Sequence, residues 1–173
     1  MSLADFAEDA EIFIDANIFT YFALQNPTYQ AACTTFLSRV ETGEARGVTS
    51  VFALNEAFYA MLIGKGSELL NSTKIKQIKH KLATDPALSA ACYQACLEFS
   101  HYVTVLRAAG LRIVEVDYIL QVKALPLGRQ YRLLPTDALH LATCQEYGLS
   151  HLATADSHFN EVTDLTVWKP TSS

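Results

Sequence analysis

Four carboxylates stand at positions from which they could act together on one substrate. Asp15 and Asp156 directly follow predicted strands, and Glu56 lies early in the helix after another strand. Asp137 opens a helix that leads into a strand. Loops at the carboxyl ends of parallel strands share one edge of a sheet, so we expect the four side chains to converge there. Clustered carboxylates repel one another unless a cation offsets their charge. Oxygen ligands favour Mg²⁺ or Mn²⁺, ions suited to hydrolysis of a phosphodiester by one or two metals.

Each acid also has a simpler explanation. Asp15 could cap the helix that follows it, and Asp137 could complement the partial positive charge of a helix N-terminus. Asp156 could be an ordinary turn residue. Glu56 lies in the largely apolar segment FALNEAFYAML, where an unpaired buried carboxylate would be costly. The prediction of a shared site therefore rests on the set rather than on any one member.

Hydrophobic periodicity and turn residues predict the elements that would position these acids. Strands are expected at Glu11–Ile14, 47–49, 111–116, 150–153 and 165–168. Helices are expected from Asn17, over 29–41, 51–63 and 72–82, from Pro86 to near Gly110, over about 118–125, and over 137–147. Gly64, Gly66 and Asn71 are expected in one loop, and Pro126 and Gly128 in another.

Strands that alternate with helices predict the α/β class, with a parallel sheet covered on both faces. The expected architecture is a three-layer α/β/α sandwich around a mainly parallel sheet of about four or five strands. The length of 173 residues fits one domain, 1–173, with residues of about 65–110 forming a helical hairpin inserted into it.

Composition excludes several classes of protein. Half of the residues are hydrophobic and 18% are charged, which excludes intrinsic disorder. The net charge of −5 argues against a broad electropositive surface. The longest apolar run, 51–63, is interrupted by Asn55 and Glu56, so no segment reaches the roughly 20 residues of a membrane span. The acidic N-terminal segment differs from a secretory signal, and we expect a cytoplasmic protein.

The four cysteines are expected to be thiols rather than disulfides or zinc ligands. They are Cys33, Cys92, Cys96 and Cys144, and no two of them form a CxxC pair. Cys92 and Cys96 have the spacing of one buried helix face. A cytoplasmic location also disfavours disulfides.

Four segments together resemble those of the PIN-domain ribonucleases, in particular the VapC toxins of bacterial and archaeal toxin–antitoxin pairs. They are IFIDANIF around Asp15, VTSVFALNEAFYAM around Glu56, LLPTDALHLATC around Asp137 and LATADSHF around Asp156. The resemblance implies a metal-dependent endoribonuclease in which the four acids are catalytic and bind Mg²⁺ or Mn²⁺. It also implies a homodimer, and a small antitoxin whose tail enters the acidic pocket.

The resemblance further implies supporting roles for three polar residues. Asn17 would form hydrogen bonds within the first loop, Thr154 would orient Asp156 or the attacking water, and Thr136 would support the site from beside Asp137. The chain is longer than the usual family core, and the surplus falls in 65–110. That difference leaves the choice of substrate and partner open.

Several cationic residues could bind RNA phosphates. The segment KIKQIKHK carries Lys74, Lys76, Lys79 and Lys81, and neutralisation of phosphates supplies most non-specific affinity for RNA. The alternative is a solvated helix face. Arg129 and Arg132 precede Asp137 and are further phosphate candidates. His140 and His158 could touch substrate or water, although packing or surface roles are commoner for histidine.

The leading hypothesis is therefore a magnesium- or manganese-dependent endoribonuclease, with a toxin role in a VapBC-type pair. One alternative is a catalytically silent PIN-like module that binds RNA or protein without cutting. Another is a PIN nuclease of RNA processing without a toxin role. A phosphatase on a similar sheet is disfavoured, because Asp15-Ala16-Asn17 lacks the second acid of a DxD motif.

Overall fold

The computed structural model describes residues 1–7 and 9–172, and this part of the chain alternates strands with helices. The strands are β1 (Glu11–Ile14), β2 (Arg46–Ser50), β3 (Arg112–Val114), β4 (His151–Ala153) and β5 (Thr166–Trp168). The helices are α1 (Ala16–Ala23), α2 (Gln30–Glu41), α3 (Val51–Leu70), α4 (Ile75–Thr84), α5 (Pro86–Ala108), α6 (Tyr118–Tyr131) and α7 (Pro135–Glu146). The predicted α/β class is confirmed.

The strands form one sheet in the order β3-β2-β1-β4-β5, and every neighbouring pair is parallel. β1 is the central strand, with β2 on one side and β4 on the other. Because all the strands run the same way, their carboxyl ends lie along one edge of the sheet. The loops and helices that follow β1, β2 and β4 therefore begin side by side.

The sheet is buried on both faces, as the side chains of β1 show. Ile12 and Ile14 belong to one hydrophobic core, which is completed by α1, α2, α3 and α5. Phe13 points the opposite way into a second core, which is built mainly from α6 and α7. This alternation follows from the period of two along a strand. The predicted three-layer α/β/α sandwich is thus confirmed.

Polar side chains begin the helices that leave this sheet edge. The Ser50 hydroxyl accepts a hydrogen bond from the Ala53 N–H at the start of α3. The Asp117 carboxylate does the same for the Leu120 N–H at the start of α6. Such caps satisfy N–H groups that have no partner within the helix. Asp15 precedes α1 in the same way, but its side chain forms no capping hydrogen bond.

The predicted end of α3 near Ile63 is wrong, because the helix continues through Gly64 and Gly66. A Cβ atom on Gly64 would lie 2.7 Å from Leu24 Cδ1, and one on Gly66 would lie 2.6 Å from Ile78 Cγ2. Both glycines therefore permit close packing against neighbouring elements. Sequence alone reads a pair of nearby glycines as a loop, since it does not show those neighbours.

The predicted end of α6 near Leu125 is also wrong. The helix passes through Pro126 and Gly128 before it ends. A proline inside a helix removes one N–H donor and normally favours a break. Here α6 packs along α7, and a Cβ on Gly128 would lie 3.3 Å from the Ala138 Cβ. Tertiary contact with α7 thus maintains the helix past the proline.

The segment 65–110 contains the end of α3 followed by α4 and α5, which only Asp85 separates. The two helices pack on each other and on α3, as a hairpin does. That this hairpin is an insertion into a single domain of residues 1–173 stays a prediction.

Two further observations concern the chain as a whole. All four cysteines are buried and unbonded to one another. Within the described ranges, no helix combines the length and apolar character needed to cross a bilayer.

Candidate active site

The four predicted carboxylates line one cavity of about 520 Å³ at the carboxyl edge of the sheet. Asp15 directly follows β1, Glu56 lies on α3 just after β2, and Asp156 lies in the loop after β4. Asp137 lies in the first turn of α7, whose chain leads on into β4. The order of the strands explains the convergence, because β2, β1 and β4 are adjacent.

Asp15 is held by two neutral side chains. The Thr154 hydroxyl donates to Asp15 Oδ2 at 2.6 Å, and the Asn17 amide donates to the same oxygen. Asp15 itself is only 6% exposed. The side chain is therefore oriented by a fixed network, and not by the cap of α1.

Asn17 and Thr154 also join the start of α1 to the loop after β4. Asn17 donates to Thr154 Oγ1 at 2.8 Å and accepts from the Ala155 N–H at 3.1 Å. The Thr154 hydroxyl accepts a further bond from the Asp156 N–H at 3.0 Å. Thr154 thus contacts the backbone of Asp156 and the carboxylate of Asp15. Asn17, which was expected to bond within the first loop, lies in the first turn of α1 and also bonds across the site.

A buried histidine lies between Asp15 and Glu56. His140 Nε2 is 2.7 Å from Glu56 Oε2 and 3.7 Å from Asp15 Oδ1, and the residue is 3% exposed. Burial opposes protonation of His140. Contact with Glu56 and the negative charges of Asp15 and Glu56 outweigh burial, so the pKa of His140 is raised. An imidazolium here offsets the charge of the first two acids.

A second histidine lies between Asp137 and Asp156. His158 Nδ1 is 3.2 Å from Asp137 Oδ2 and 3.3 Å from Asp156 Oδ1. Asp156 Oδ1 also accepts the backbone N–H of His158 at 2.8 Å, which positions the loop. The site therefore consists of two pairs of acids, each with an imidazole between its members.

Burial raises the pKa of two of the carboxyl groups. Desolvation is the largest cause for Asp15, opposed by the charge of His140 and the hydrogen bond from Thr154. Desolvation is also the largest cause for Asp137, opposed by the hydrogen bond with His158. Raised carboxyl pKa values are typical of sites in which several acids share a poorly hydrated space.

His140 is only a minor candidate from the sequence, and Tyr59 was not predicted. His140 lies one turn after Asp137 on an otherwise apolar helix face, and Tyr59 lies three residues after Glu56. Residues three apart on a helix share a face, so both could have been expected beside their acids. Tyr59 and Asn55 line the acidic cavity.

Other predicted residues do not belong to the described lining of the acidic cavity. Thr136 lines a neighbouring apolar cavity with Phe52 and Pro135. Arg129 and Arg132 are exposed around the end of α6, and neither belongs to the described lining of the acidic cavity. Their proposed contact with phosphates therefore stays a prediction that the cavity does not by itself support.

Among the candidate lysines, Lys79 is connected to the cavity. Its Nζ lies 5.1 Å from the centre of the Tyr59 ring, a cation–π distance. Tyr59 lines the acidic cavity and is 48% exposed. Lys74, just before α4, and Lys76, within α4, are exposed but do not belong to the described lining of the cavity.

The donor atoms at this site fit a hard divalent cation. The four carboxylates provide oxygen ligands, which Mg²⁺ and Mn²⁺ prefer. Glu56 Oε2 is buried, and the imidazole that lies 2.7 Å from it, His140, also faces Asp15. One imidazolium compensates two buried acids only partly, and the remaining negative charge is destabilising unless a further cation offsets it. The raised pKa values of Asp15 and Asp137 indicate the same need.

Similar proteins were found by sequence and by structure. Over 59 residues the chain is 36% identical to Ribonuclease VapC6 of Methanocaldococcus jannaschii, a match that covers 34% of this chain and only 39% of that protein. A toxin–antitoxin complex from Klebsiella pneumoniae superposes with a TM-score of 0.58 at 15% identity, over 94% of this chain and 99% of that chain. The sarcin–ricin loop cleaving toxin VapC20 of Mycobacterium tuberculosis superposes with a TM-score of 0.57 at 13% identity, over 88% and 95% of the two chains.

At such low identity the two solved structures establish the fold alone. A model of the PIN domain family matches residues 12–165, which span β1 to the segment just before β5 and include all four acids. The chain therefore belongs to the PIN domain family.

Proposed function

We propose that this protein is a metal-dependent endoribonuclease that hydrolyses RNA phosphodiester bonds, and that it is the toxin of a VapBC-type toxin–antitoxin pair. The main support is the convergence of Asp15, Glu56, Asp137 and Asp156 on one cavity. The family membership and the similarity to a ribonuclease of the VapC group point the same way. We expect the reaction to take place in the cytoplasm.

The proposed metal ligands are the four carboxylates, directly or through water. When bound, Mg²⁺ or Mn²⁺ would supply a more acidic water and compensation for the charge on the phosphodiester. The chain's own part is to hold Asp15 by Asn17 and Thr154. Attack of a water oxygen on phosphorus would break the bond to the 3′-oxygen, with one water proton passing to a carboxylate of the cavity and the departing oxygen taking a proton from solvent.

The position of Lys79 supports a nucleic-acid substrate. An acidic cavity alone repels a polyanion, so a substrate phosphate needs a cation near the entrance. Lys79 provides one beside Tyr59, and the exposed Tyr59 ring offers a surface on which a base can stack. Lys76 on α4 and Lys74 just before that helix extend the positive charge.

The direct test is cleavage of a labelled structured RNA by purified protein with Mn²⁺ or with EDTA. Asp15→Asn preserves side-chain shape but removes one charge, and we expect cleavage to fall by about a hundredfold or more. The exposed substitution Asp164→Asn, which lies outside the cavity lining, serves as the control. Full cleavage by the Asp15 variant would contradict the proposal, and RNA binding without cleavage by wild type would favour the silent-module alternative.

We further propose that two copies associate through the exposed face of α6. Tyr118, Ile119, Val122 and Leu125 recur at helical spacing and are between 45% and 75% exposed. Leu125 also borders an apolar cavity of about 420 Å³. A contiguous apolar surface of this kind marks an interaction site.

Light scattering tests the proposed homodimer. We expect Leu125→Lys to convert dimers into monomers, because it places a charge on the apolar face. Leu97→Lys on α5 is the matched control, since Leu97 is 63% exposed but lies on another helix. A monomeric wild-type protein would contradict the proposal.

The proposed antitoxin partner follows from the charge of the cavity and from the family resemblance. A cationic tail would be attracted by the acids, and the cavity volume of about 520 Å³ has room for an arginine side chain. A small reading frame immediately upstream, encoding a DNA-binding domain with an arginine-bearing tail, would identify the candidate. Its purified product is expected to inhibit cleavage by wild-type protein.

A further inference from the structure

One histidine beside the acids has a position that the four-carboxylate description does not explain. Within the described residues, one set of three potential ligands brings an atom of each within 4.8 Å of the others. The set consists of Asp137, Asp156 and His158. One of its members therefore offers nitrogen rather than oxygen.

The distances in this set match those between neighbouring ligands of one ion. His158 Nδ1 lies 3.2 Å from Asp137 Oδ2 and 3.3 Å from Asp156 Oδ1. Ligands at right angles on an octahedral ion with bonds of about 2.1 Å are roughly 3 Å apart. A small movement of the side chains would thus allow all three atoms to share one cation.

Two further features make His158 available as a ligand. Its backbone N–H donates a hydrogen bond to Asp156 Oδ1, which holds His158 next to that acid. Its side chain is 56% exposed, so the ring has room to turn towards an ion. His140 differs, because its ring is enclosed with Phe13 and Phe52 and its Nδ1 is buried without a partner.

We propose that His158 is a ligand, through Nδ1, of the divalent ion held by Asp137 and Asp156, and that it shifts the metal preference from Mg²⁺ towards transition-metal ions. The inference rests on the metal site of the proposed function. Mg²⁺ strongly prefers oxygen, whereas imidazole nitrogen is a good ligand for first-row transition metals. The expected order of affinity is Co²⁺ above Mn²⁺ above Mg²⁺.

Another role for His158 predicts the opposite result. If the imidazolium acted only as a counter-cation for the two acids, it would compete with a metal ion. Removal of the side chain would then tighten the binding of every divalent ion, since two unscreened carboxylates would remain. The sign of the change in affinity therefore separates the two roles.

The first experiment is calorimetric titration of the metal-free, full-length protein with Co²⁺, Mn²⁺ and Mg²⁺. We expect His158→Ala to weaken Co²⁺ binding by at least about tenfold and to change Mg²⁺ binding by less than about threefold. The exposed His101 on α5 provides the control, and His101→Ala is expected to bind like wild type. Equal weakening for all three ions, or tighter binding, would overturn the inference.

The second experiment observes the nitrogen directly. Electron spin-echo spectra of the Mn²⁺-loaded wild type should contain modulation from a coordinated imidazole ¹⁴N. That modulation should vanish in His158→Ala and persist in His101→Ala. No modulation in the wild type, or modulation retained in the His158 variant, would overturn the inference.

Neither readout depends on catalysis. A protein that shows the nitrogen signal but cuts no RNA would contradict the proposed function and leave this inference intact. A protein that cuts RNA without the nitrogen signal would contradict this inference and leave the proposed function intact.

Discussion

A carboxylate that is almost fully buried has to be neutralised or compensated, and Asp15 shows how this chain does so. Two neutral donors and the His140 imidazole face its oxygens. Burial still raises its pKa, so these partners compensate the charge only partly. Asp15 is thus poised to gain from a bound cation.

The direction of these shifts predicts how pH affects the metal-free protein. Asp15, Asp137 and His140 all have raised pKa values, so the folded state binds protons more tightly than the unfolded chain does. Their stabilising contribution is complete below the unfolded values, about 4 for the acids and about 6.5 for histidine. It is lost as pH rises through the folded values. In EDTA we therefore expect the free energy of unfolding of the metal-free protein to fall as the pH rises from mildly acidic to alkaline values.

Asp15→Asn should remove part of the destabilisation that ionisation of the buried acids causes at high pH. In EDTA at pH 8 we expect its melting temperature to exceed that of wild type by a few degrees, since about 1 kcal/mol corresponds to roughly 2 to 4 °C for a chain of this size. The difference should shrink at pH 5. Thermal scans at both pH values provide the measurement, and a less stable variant at pH 8 would contradict the prediction.

At the scale of single residues, the sequence predicted the acids as a set but gave His140 and His158 only a minor role. An acid at a strand end is recognisable because the strand is recognisable, as with Asp15 after Glu11–Ile14. The role of His158 depends on how the loop after β4 turns towards α7, which no local pattern encodes. The sequence could therefore indicate that the site is acidic, but not that two histidines lie between its acids.

At the scale of elements, α4 shows how packing determines what a site can bind. Gly66 on α3 leaves room for Ile78, whose Cγ2 would lie 2.6 Å from an added Cβ. This close contact holds α4 against α3 and places Lys79 over Tyr59 at the cavity. Gly66, which the sequence placed in a loop, thus helps to position the Lys79 ammonium group.

Lys79→Ala should weaken RNA binding more than Lys76→Ala does. Both lysines lie on α4, but Lys79 is the one that contacts a residue of the cavity lining. Loss of one phosphate contact should reduce the slope of log affinity against log salt by about one. Binding should be measured with the Asp15→Asn protein so that RNA stays intact. Equal slopes for the two variants would place Lys79 away from bound RNA.

At this scale the parallel sheet was more predictable than the ends of its helices. Strand positions follow from short apolar runs between turn residues, and the alternation with helices dictates parallel pairing. The ends of α3 and α6 depend instead on contacts of Gly66 with Ile78 and of Gly128 with Ala138. Such contacts form only in the folded molecule.

At the scale of the whole molecule, the three-layer sandwich couples metal binding to folding, because the site exists only in the folded chain. Its acids come from segments far apart in the chain, so a cation that binds all of them stabilises only the folded state. The layers themselves were predictable from sequence. The role of the exposed α6 face was not, because a partner's surface is not encoded in this chain's periodicity.

Saturating Mn²⁺ should therefore raise the melting temperature. At about 100 times the dissociation constant the gain is about 2.7 kcal/mol, or roughly 5 to 10 °C. Glu56→Gln should reduce this shift, whereas the exposed Glu98→Gln on α5 should not. The measurement is thermal unfolding with and without the metal. An unchanged shift in the Glu56 variant would argue that Glu56 is not a ligand.

The burial of every native cysteine has a practical consequence. Burial raises the pKa of Cys33 to about 12, and the other three thiols are also enclosed. Alkylating reagents attack the thiolate, so native thiols react only when the molecule opens. A cysteine introduced at an exposed position such as Gln121 would then be the fast-reacting one. A fluorophore attached there could follow association of two copies through α6 without a cysteine-free background.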